Sequence, residues 1–353
     1  MKLITVIGAR PQFIKAAPFS EVFRKKHTEI LVHTGQHYDS NMSDIFFNEL
    51  NIPKPDYNLA VGSGRHGKQT AKMLEGIEEI LLNEKPDALL VYGDTNSTLA
   101  GALAASKLHI KVYHAEAGLR SFNKLMPEEQ NRILTDHISD LLFCPTETAV
   151  NHLKNEGITK GVSLTGDIMY DAVLRNIPIA QEKYKNTLTL PVSKKNYYLA
   201  TVHRAENTDA PDKLKTIFQA FTELDKPVLL PLHPRTKNII ENMGLSLNNI
   251  NVIDPVGYLF MLYLTANAHM VITDSGGLQK EAYFLKTPCT TLRDQTEWVE
   301  TLINDWNVLT PIVCKNILQT VQRKISINTP QINAFGDGNA AAKICEAIER
   351  SLK

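Results

Sequence analysis

Polar residues that directly follow apolar runs mark the places where this chain can do chemistry. The runs and the residues that end them are 88–93 with Asp94, 112–115 with Glu116 and 197–202 with His203. A charged group at the end of a buried strand is costly unless it is paired or used. Several carboxylates in one partly desolvated pocket raise one another's pKa, which keeps some protonated near neutral pH. Asp94 and Glu116 are therefore predicted to move protons at carbon and to protonate a leaving group.

A third carboxylate for the same chemistry is Glu128, in the segment Met126-Pro127-Glu128-Glu129. Pro127 suits the first turn of a helix. A helix N-terminus without any catalytic function would also carry Glu128 and Glu129, because its dipole stabilises each by about 0.3–1 kcal/mol. For Glu128 or Glu129 taken alone the structural explanation is favoured, but beside Asp94 and Glu116 we predict that Glu128 is catalytic, and the alternative stays open.

A glycine-containing turn, Asp274-Ser275-Gly276-Gly277, follows the apolar run 270–273 and precedes a helical pattern. Free backbone N–H groups and the helix dipole at such a position attract phosphate. The alternative is a tight strand-to-helix turn that needs glycine only for its backbone angles. Glu281, about one turn into the helix, is placed to accept hydrogen bonds from ribose hydroxyls. Together these residues predict a site for a nucleoside diphosphate.

Cations at further strand ends are placed to reach the same turn. His203, His233 and Arg293 each follow an apolar run in the second half of the chain. Cations that converge near Ser275 suit a pyrophosphate. A single histidine at a strand end is more often a helix cap or an exposed loop residue. Histidines also ligate metals, but no HxxxH or HxH spacing favours this, and no metal site is predicted.

The turn Gly8-Ala9-Arg10-Pro11 follows the first apolar run. It lacks the GxGxxG fingerprint of dinucleotide-binding sites and the acidic ribose ligand expected downstream of it. A nicotinamide enzyme is therefore disfavoured.

The elements that must position these residues are strands of parallel sheets. Short apolar runs separated by helix-length segments, such as the amphipathic segment 69–82, predict alternating buried strands and helices. In the first half, strands are predicted near residues 3–7, 29–33, 88–93, 112–115, 141–144 and 162–165. This pattern predicts an α/β fold with Rossmann-like, doubly wound sheets. Ligands of such sheets bind beyond the carboxyl ends of the strands, where the candidate residues lie.

The length of 353 residues predicts two domains. A polar, Lys- and Asn-rich stretch around 181–196 precedes a second alternation that begins at Tyr197, and the boundary is predicted near 167–172. The predicted domains are an N-terminal Rossmann-like domain, 1–168, with the catalytic carboxylates, and a C-terminal Rossmann-like domain, 169–339, with the nucleotide site. A last helix, 340–353, is predicted to pack back on the first domain.

Composition narrows the class of protein. Lys and Arg number 38 and Asp and Glu number 38, and without a basic block neither nucleic acid nor a membrane surface is a predicted partner. No apolar run approaches the length of a transmembrane helix. The four cysteines lie far apart, with no CxxC pair, so neither a zinc site nor a disulfide framework is predicted. A reduced, cytoplasmic enzyme is expected.

Motifs along nearly the whole chain resemble, in order, those of the non-hydrolysing UDP-N-acetylglucosamine 2-epimerases. They are Gly8-Ala9-Arg10-Pro11, Gly93-Asp94-Thr95, His114-Ala115-Glu116-Ala117-Gly118-Leu119-Arg120, Pro127-Glu128-Glu129-Gln130-Asn131-Arg132, Pro145-Thr146-Glu147, Thr165-Gly166-Asp167, His203-Arg204 and Asp274 to Ala282. The resemblance implies a two-domain fold of the glycosyltransferase B type with the active site in the cleft between the domains, and a homodimer. It implies a reaction without a cofactor: UDP is eliminated across C1–C2 to give a 2-acetamidoglucal, which is protonated at C2 from the other face as UDP adds back.

Residue by residue, the resemblance implies that Asp94, Glu116 and Glu128 are the catalytic acids and bases, with His203 near the departing diphosphate. It implies that Arg10, Ser275 and Gly276 contact the phosphates and that Glu281 holds the ribose. The full set of predicted substrate-binding residues is Arg10, Lys15, Arg132, His233, Ser275, Gly276, Gly277, Glu281 and Arg293.

Two segments depart from the pattern of the UDP-N-acetylglucosamine enzymes. The segment 293–300 contains Trp298-Val299 where those enzymes have Arg-Pro, and the segment 121–126 is shorter. These departures are similar to the branch that epimerises UDP-2,3-diacetamido-2,3-dideoxyglucuronate, a precursor of surface polysaccharide. Two other activities stay open on the same architecture: a hydrolysing 2-epimerase and a nucleotide-sugar glycosyltransferase.

Overall fold

The computed structural model describes residues 1–36, 49–50, 52–185, 190–232, 234–325 and 328–351. They form two compact units: unit 1 comprises Met1–Arg175 and Asn333–Lys353, and unit 2 comprises Asn176–Ile332. Unit 1 is thus built from two separate stretches of sequence, and unit 2 from one.

Unit 1 contains, among the described residues, a parallel sheet of seven strands in the order β3-β2-β1-β4-β5-β6-β7. The strands are β1 (Lys2–Ile7), β2 (Thr28–His33), β3 (Tyr57–Asn58), β4 (Ala88–Tyr92), β5 (Lys111–Ala115), β6 (Leu141–Cys144) and β7 (Val162–Leu164). The strand order reverses between β1 and β4, which makes this the topological switch point where doubly wound sheets bind ligands. Tyr92 pairs with Ala115, so the residues that follow β4 and β5 emerge side by side.

Helices connect these strands. They are α1 (Arg10–Phe23), α2 (His66–Glu84), α3 (Asn96–Lys107), α4 (Pro127–Ile138), α5 (Glu147–Asn155) and α6 (Ile168–Tyr184). Buried residues of α2, among them Met73 and Ile77, pack with Val6 and Val91 of the sheet in one apolar core. The amphipathic segment 69–82 lies inside α2.

Unit 2 contains, in its described part, a six-stranded parallel sheet in the order β10-β9-β8-β11-β12-β13. The strands are β8 (Tyr198–Thr201), β9 (Val228–Pro231), β10 (Ile250–Ile253), β11 (Met270–Thr273), β12 (Cys289–Thr291) and β13 (Asn307–Leu309). The helices are α7 (Ala205–Thr208), α8 (Pro211–Thr222), α9 (Pro234–Asn242), α10 (Tyr258–Asn267), α11 (Gly276–Phe284) and α12 (Cys314–Val321), with a 3₁₀ segment at Val299–Asp305. The predicted α/β class, with two Rossmann-like parallel sheets, is confirmed.

The last helix, α13 (Ala340–Ser351), belongs to unit 1 and packs against α1. The carboxylate of Asp171 accepts hydrogen bonds from the backbone N–H groups of Ala340, at 3.0 Å, and Ala341, at 2.8 Å. These are N–H groups that a helix cannot satisfy internally. Asp171 therefore fixes the start of α13.

Within the described ranges, no helix combines the length and the apolar character that crossing a membrane requires.

Candidate active site

Glu116, directly after β5, has a backbone φ of +69°, which residues other than glycine rarely adopt. The N–H groups of Glu116 and Ala117 both donate to the carbonyl oxygen of Phe143, each at 3.1 Å, and hold this turn. Such strain, of the order of 1–3 kcal/mol, accumulates at functional sites. The carboxylate forms a buried ion pair with Nζ of Lys15, from α1. Glu116 is therefore fixed through both its backbone and its side chain.

Gly93, directly after β4, lies against this ion pair. Its φ is +63°, and a β-carbon at this position would lie 3.1 Å from Oε2 of Glu116 and 3.4 Å from Nζ of Lys15. Its N–H donates to the carbonyl oxygen of Ala115 at 3.0 Å. Glycine is needed here for the backbone angle and for the close approach. The ends of β4 and β5 are thereby joined, and Asp94 is the next residue along the chain.

Asp94 pairs with Arg132, which comes from α4. The second terminal nitrogen of Arg132 lies 3.0 Å from Oε2 of Glu129. The Arg132 side chain is 3% exposed and that of Glu129 is 1% exposed, whereas Asp94 keeps 29% of its side-chain surface exposed. One buried guanidinium thus holds two carboxylates, of which Asp94 is the one that a ligand can reach.

Glu129 anchors the loop 121–126. Its carboxylate accepts hydrogen bonds from N–H of Ser121 at 2.9 Å, from the hydroxyl of Ser121 at 2.9 Å and from N–H of Phe122 at 2.8 Å. Phe122 itself is largely exposed and has a φ of +59°. Sequence reasoning gave Glu129 no function. The signal that could have found it is the spacing of Glu129 and Arg132, which places both on one face of α4.

Glu128 lies in the first turn of α4 and is exposed. No hydrogen bond or ion pair joins its side chain to any other described residue. The structure therefore brings Asp94, Glu116, Lys15 and Arg132 together at the strand ends but leaves Glu128 apart from their ion pairs.

A second chain of hydrogen bonds reaches Asp94 through its backbone. The side-chain amide of Asn131 donates to the carbonyl oxygen of Asp94 at 2.9 Å and to Oδ1 of Asn96 at 3.2 Å. Asn96 in turn donates to Oε1 of Gln69 at 2.9 Å and lies 3.0 Å from Nδ1 of His66. This chain connects the N-terminal turn of α2 to the end of β4.

His114, on β5 and fully buried, supports the same edge of the sheet. Its Nε2 lies 2.7 Å from the carbonyl oxygen of Gly93, and its Nδ1 lies 2.7 Å from Oδ1 of Asp136. The other oxygen of Asp136 accepts hydrogen bonds from Arg120 at 2.7 Å and from N–H of Gly118 at 3.1 Å. Burial acts to raise the pKa of Asp136, but the bonds from His114 and Arg120 outweigh it and lower this pKa. The imidazole of His114 is thus held between two hydrogen-bond acceptors, a backbone carbonyl oxygen and a carboxylate.

This support was not recognised in the sequence. His114 and Glu116 lie two positions apart on one strand, where alternate residues share a face. That spacing is a signal, but it does not identify Asp136, which lies on α4.

Gln12 shapes the turn at the start of α1. Its Oε1 accepts from the N–H groups of Gly8 at 2.8 Å and Ala9 at 3.0 Å, and its amide donates to the carbonyl oxygen of Tyr92 at 2.8 Å. A β-carbon on Gly8 would lie 2.1 Å from the hydroxyl oxygen of Ser97, so the turn packs tightly on α3. Arg10, a predicted phosphate ligand, is the first residue of α1 and is half-buried.

The charge environment of the carboxylates differs from the expectation. Asp94 and Glu116 were predicted to lie with other carboxylates in one partly desolvated pocket, where carboxylates raise one another's pKa. In the structure each has its own cation, Arg132 or Lys15.

The second set of predicted residues lies in unit 2, at the carboxyl ends of β8 and β11. Asp274 is fully buried, and its carboxylate accepts hydrogen bonds from N–H of His203 at 3.1 Å, from N–H of Arg204 at 3.0 Å and from the amide of Asn207 at 3.1 Å. Nδ1 of His203 lies 3.3 Å from Oδ1 of Asp274, while 60% of its side-chain surface is exposed. Asp274 therefore holds the His203 turn, and the imidazole stays accessible.

Ser275 is the N-cap of α11, and its hydroxyl accepts from N–H of Leu278 at 3.4 Å. A β-carbon on Gly276 would lie 2.8 Å from Oε1 of Glu297, whereas one on Gly277 would meet no described atom within 4 Å. The N–H groups at this helix start are of the kind that bind phosphate. Glu281, also predicted to bind the nucleotide, is a buried residue of the same helix.

Arg293 follows β12, and one of its terminal nitrogens lies 3.2 Å from Oε2 of Glu297. Glu297 thus connects Arg293 to the start of α11, a contact that sequence reasoning missed. Trp298 lies in the segment 293–300, which departs from the sequence pattern of the UDP-N-acetylglucosamine enzymes. Nζ of the buried Lys280 lies over its ring, 3.5 Å from the ring centroid. His233 lies outside the described residues.

Comparison of the sequence and the fold with known proteins identifies the family of this chain. A sequence model of the family described as UDP-N-acetylglucosamine 2-epimerase matches residues 21–349. The chain belongs to the UDP-N-acetylglucosamine 2-epimerase family. Members of this family are UDP-sugar 2-epimerases, which are isomerases, and the predicted enzyme class is confirmed.

Individual members of the UDP-N-acetylglucosamine 2-epimerase family match nearly the whole chain. A protein of Methanococcus maripaludis named UDP-N-acetylglucosamine 2-epimerase homolog is 54% identical over 99% of this chain and 99% of its own length. The UDP-2,3-diacetamido-2,3-dideoxy-D-glucuronate 2-epimerase of Pseudomonas aeruginosa is 50% identical over 99% of this chain and 100% of its own length. The crystal structure of the Methanocaldococcus jannaschii UDP-GlcNAc 2-epimerase, in complex with UDP-GlcNAc and UDP, has a TM-score of 0.90 and 44% identity, covering 99% of this chain and 100% of that one.

Proposed function

We propose that this protein inverts C2 of a UDP-2-acetamido sugar without a cofactor. A base removes the proton from C2 while the C1–O bond to UDP breaks, which gives a 2-acetamidoglucal and free UDP. UDP then adds back at C1 as a proton is delivered to the opposite face of C2. The observation that carries this proposal is the pair of ion-paired carboxylates, Asp94 and Glu116, at adjoining strand ends beside the switch point of the sheet.

The residues of unit 1 supply the proton transfers in this proposal. Asp94 and Glu116 are held in place by Arg132 and Lys15, and a carboxylate held in a fixed position is suited to proton transfer. Removing a proton from one face and delivering one to the other requires at least two groups. Glu128 is proposed as the third member of this set, since its exposed carboxylate is free to approach a bound sugar.

The residues of unit 2 hold the leaving group. The N–H groups at the start of α11, with the hydroxyl of Ser275, are proposed to bind the diphosphate, and Glu281 the ribose. His203, which is exposed and oriented by Asp274, is proposed to donate to the departing phosphate. Gly277, His233 and Arg293 are proposed to complete this set in unit 2, and Arg10, a residue of unit 1, is proposed as a further phosphate ligand.

The sugar is proposed to be the 2,3-diacetamido-glucuronate relative of UDP-N-acetylglucosamine, a compound for which the Pseudomonas aeruginosa relative is named. The structural support is a basic turn, Arg65-His66, at the start of α2, which the Asn96 and Asn131 amides connect to Asp94. A cation near the reacting sugar favours a substrate that carries a carboxylate at C6. The product would enter surface polysaccharide synthesis, and we place the enzyme in the cytoplasm as a homodimer.

Incubating the protein with UDP-sugar alone in D₂O tests the reaction. Breaking the C2–H bond must place deuterium at C2 in both epimers, without added nicotinamide. Free sugar with UDP would instead indicate a hydrolysing epimerase, and no reaction without an acceptor would indicate a glycosyltransferase. Interconversion without deuterium uptake would contradict the elimination mechanism.

A comparison of kcat/KM for the two nucleotide sugars tests the substrate. The diacetamidoglucuronate nucleotide is expected to be preferred, and Arg65→Gln is expected to lower kcat/KM for it selectively, since removing a cation from a carboxylate discriminates strongly. Lys72→Gln, on an exposed position of α2, is the matched control. A higher kcat/KM for UDP-N-acetylglucosamine would contradict the substrate and leave the epimerase proposal unchanged.

A further inference from the structure

A cavity of about 570 Å³ lies in unit 2 at the amino ends of its strands. Tyr198 and Met270, which line it, begin β8 and β11, and Pro288 and Trp306 directly precede β12 and β13. The proposed nucleotide residues follow the carboxyl ends of the same strands. Strands of three or four residues separate the two edges of the sheet by roughly 10–13 Å. The cavity is therefore distinct from the proposed nucleotide site.

The lining of this cavity is strongly basic, although positive and negative side chains balance over the whole chain. Among the described lining residues, five cationic side chains face one carboxylate, that of Asp225. The cations are Lys195, Lys226, Lys286, Arg323 and Lys324. A concave site lined by one sign of charge concentrates ions of the opposite sign.

The carboxylate of Asp225 is already hydrogen-bonded to neighbouring side chains. Asp225 accepts a hydrogen bond from Nζ of Lys226 at 2.6 Å and from the hydroxyl of Tyr198 at 2.6 Å. The other four cations form no ion pair with any residue that the structure describes. The cavity consequently holds an excess of positive charge that no ion pair with a described residue neutralises.

Two of these cations are held in place by backbone groups. Arg323 donates to the carbonyl oxygens of Cys289 and Thr320, each at 2.5 Å, and to the hydroxyl of Thr290 at 2.7 Å. Nζ of Lys195 donates to a carbonyl oxygen, that of Ala268, at 3.2 Å. Carbonyl oxygens orient a cation without cancelling its charge. The positive charge is thus preorganised, which reduces the cost of binding an anion.

The cavity also has flat apolar walls. The rings of Tyr198 and Trp306 line it, and the imidazole of His269 meets Tyr198 at a centroid distance of 5.7 Å. Burial, together with Lys226 and Lys195, lowers the pKa of His269. His269 is therefore neutral at pH 7 and offers a hydrogen-bond donor and an acceptor. A volume of a few hundred cubic ångströms with apolar walls and a few polar groups is typical of small-molecule sites.

We propose that this cavity is a second anion-binding site, for a small molecule that carries two or more phosphate charges. Ammonium groups bind phosphate as point charges, which fits the three lysines without an anionic partner. The size of the cavity and the balanced overall charge favour a small ligand over a nucleic acid. This site does not depend on the proposed epimerase function, because its residues lie at the opposite edge of the sheet.

Calorimetric titration of the full chain with inorganic pyrophosphate and tripolyphosphate tests the proposal. UDP is present at saturating concentration to block the proposed nucleotide site at the carboxyl ends of the strands. Tripolyphosphate is expected to bind more tightly than pyrophosphate. The double variant Lys286→Gln/Lys324→Gln is expected to weaken both by roughly tenfold. Lys215→Gln/Lys315→Gln, two exposed lysines outside the cavity, is the charge-matched control and should leave the affinities unchanged.

A second measurement locates the ligand. The chain has two tryptophans, so Trp298→Phe leaves Trp306, in the cavity wall, as the only indole fluorophore. Titration with tripolyphosphate is expected to change the fluorescence emission of Trp306, with the same dissociation constant that calorimetry gives. No binding to the UDP-saturated protein, equal losses in both double variants, or binding that leaves Trp306 unaffected would overturn the proposal. If UDP fails to bind, the proposed function is in doubt, but the two double variants still test this cavity, because only one of them changes lysines that line it. Failure of the proposed function is therefore distinguishable from failure of this site.

Discussion

Asp94 and Glu116 are single residues whose chemistry can be removed without changing their size. Asp94→Asn and Glu116→Gln are each expected to lower kcat by about 10²–10⁴-fold, because neither amide transfers a proton. UDP affinity should be retained, since neither residue is among those proposed to bind the nucleotide. NMR assays of epimerisation and calorimetry with UDP measure the two effects.

Glu128→Gln belongs to the same series, with Glu79→Gln on an exposed position of α2 as the control. Activity close to that of the unchanged protein in all three active-site variants would contradict the proposed set. A loss in Asp94 and Glu116 alone would restrict proton transfer to the two ion-paired carboxylates.

Asp136 gives a prediction on pH. Burial acts to raise its pKa, but hydrogen bonds from His114 and Arg120 outweigh this and lower the pKa below its usual value. A carboxyl group with a lowered folded-state pKa stabilises the fold at pH above its unfolded value, and this contribution is lost as pH falls through the folded value. Asp136→Asn is therefore expected to cost about 3–5 kcal/mol near neutral pH and progressively less below about pH 4.

Urea unfolding of both proteins across this pH range measures the difference in free energy. Asp212→Asn, on an exposed position of α8, controls for the change of charge alone. A cost for Asp136→Asn that is the same at all pH values would show that the carboxylate charge is not what matters.

Single residues also show what the sequence could not predict. Asp94 and Glu116 were found because each follows an apolar run. Their partners Arg132 and Lys15 lie 38 and 101 residues away along the chain, and only the packing of α4 and α1 brings them close. The His114–Asp136 bond was missed for the same reason, since strand periodicity gives a face but not a partner.

The turn between β5 and α4 is an element whose path depends on Gly118. Its φ is +79°, and a β-carbon there would lie 2.4 Å from the carbonyl oxygen of Ala149. Gly157, with a φ of +81° and no described atom within 4 Å of such a carbon, is a matched control. Gly157→Ala is expected to cost roughly 1–2 kcal/mol from backbone strain alone. Gly118→Ala should cost clearly more, because a backbone atom must also move.

Urea unfolding of the two glycine variants measures these costs. Equal costs would mean that the close approach of Ala149 does not constrain the turn. A normal kcat in Gly118→Ala would further show that the position of Glu116 does not depend on this turn.

At the level of elements, strand positions were predictable because buried parallel strands are apolar throughout. β3 was not predicted, since it has only two residues, Tyr57 and Asn58, in a polar segment. The start of α4 was predicted from Pro127, but which of the two glutamates faces the interior was not. Glu129 is the buried one because it shares a face with Arg132, and that requires the neighbouring loop to be in place.

The whole molecule consists of one unit made from a continuous stretch and one that needs α13 to be complete. Deleting residues 340–351 uncovers the face of α1 that Ile344 and Ile348 bury and leaves the carboxylate of Asp171 without its two N–H donors. Amides of β1 and β4 are expected to lose protection from hydrogen exchange, while those of β8 and β11 keep theirs. Hydrogen exchange with mass spectrometry measures amide protection in both units in one experiment.

Glu346→Gln, on an exposed position of α13, is the control for that deletion. Equal loss of protection in both units, or none in either, would contradict the division. The two-sheet organisation was predictable from the renewed alternation at Tyr197. The boundary between the two units, after Arg175, falls inside α6. Because residues Ile168–Tyr184 form one continuous helix, no change of composition marks this boundary.

The discontinuity of unit 1 has a consequence for how the chain is made. The ribosome synthesises β1 to β7 first, but α13 appears only after all of unit 2. At typical elongation rates this interval lasts roughly 10–30 s. During that time the apolar face of α1 that α13 covers has no partner from its own chain, whereas unit 2 is made from one continuous stretch of sequence. The nascent N-terminal unit is therefore expected to expose apolar surface until α13 is made, although it leaves the exit tunnel first.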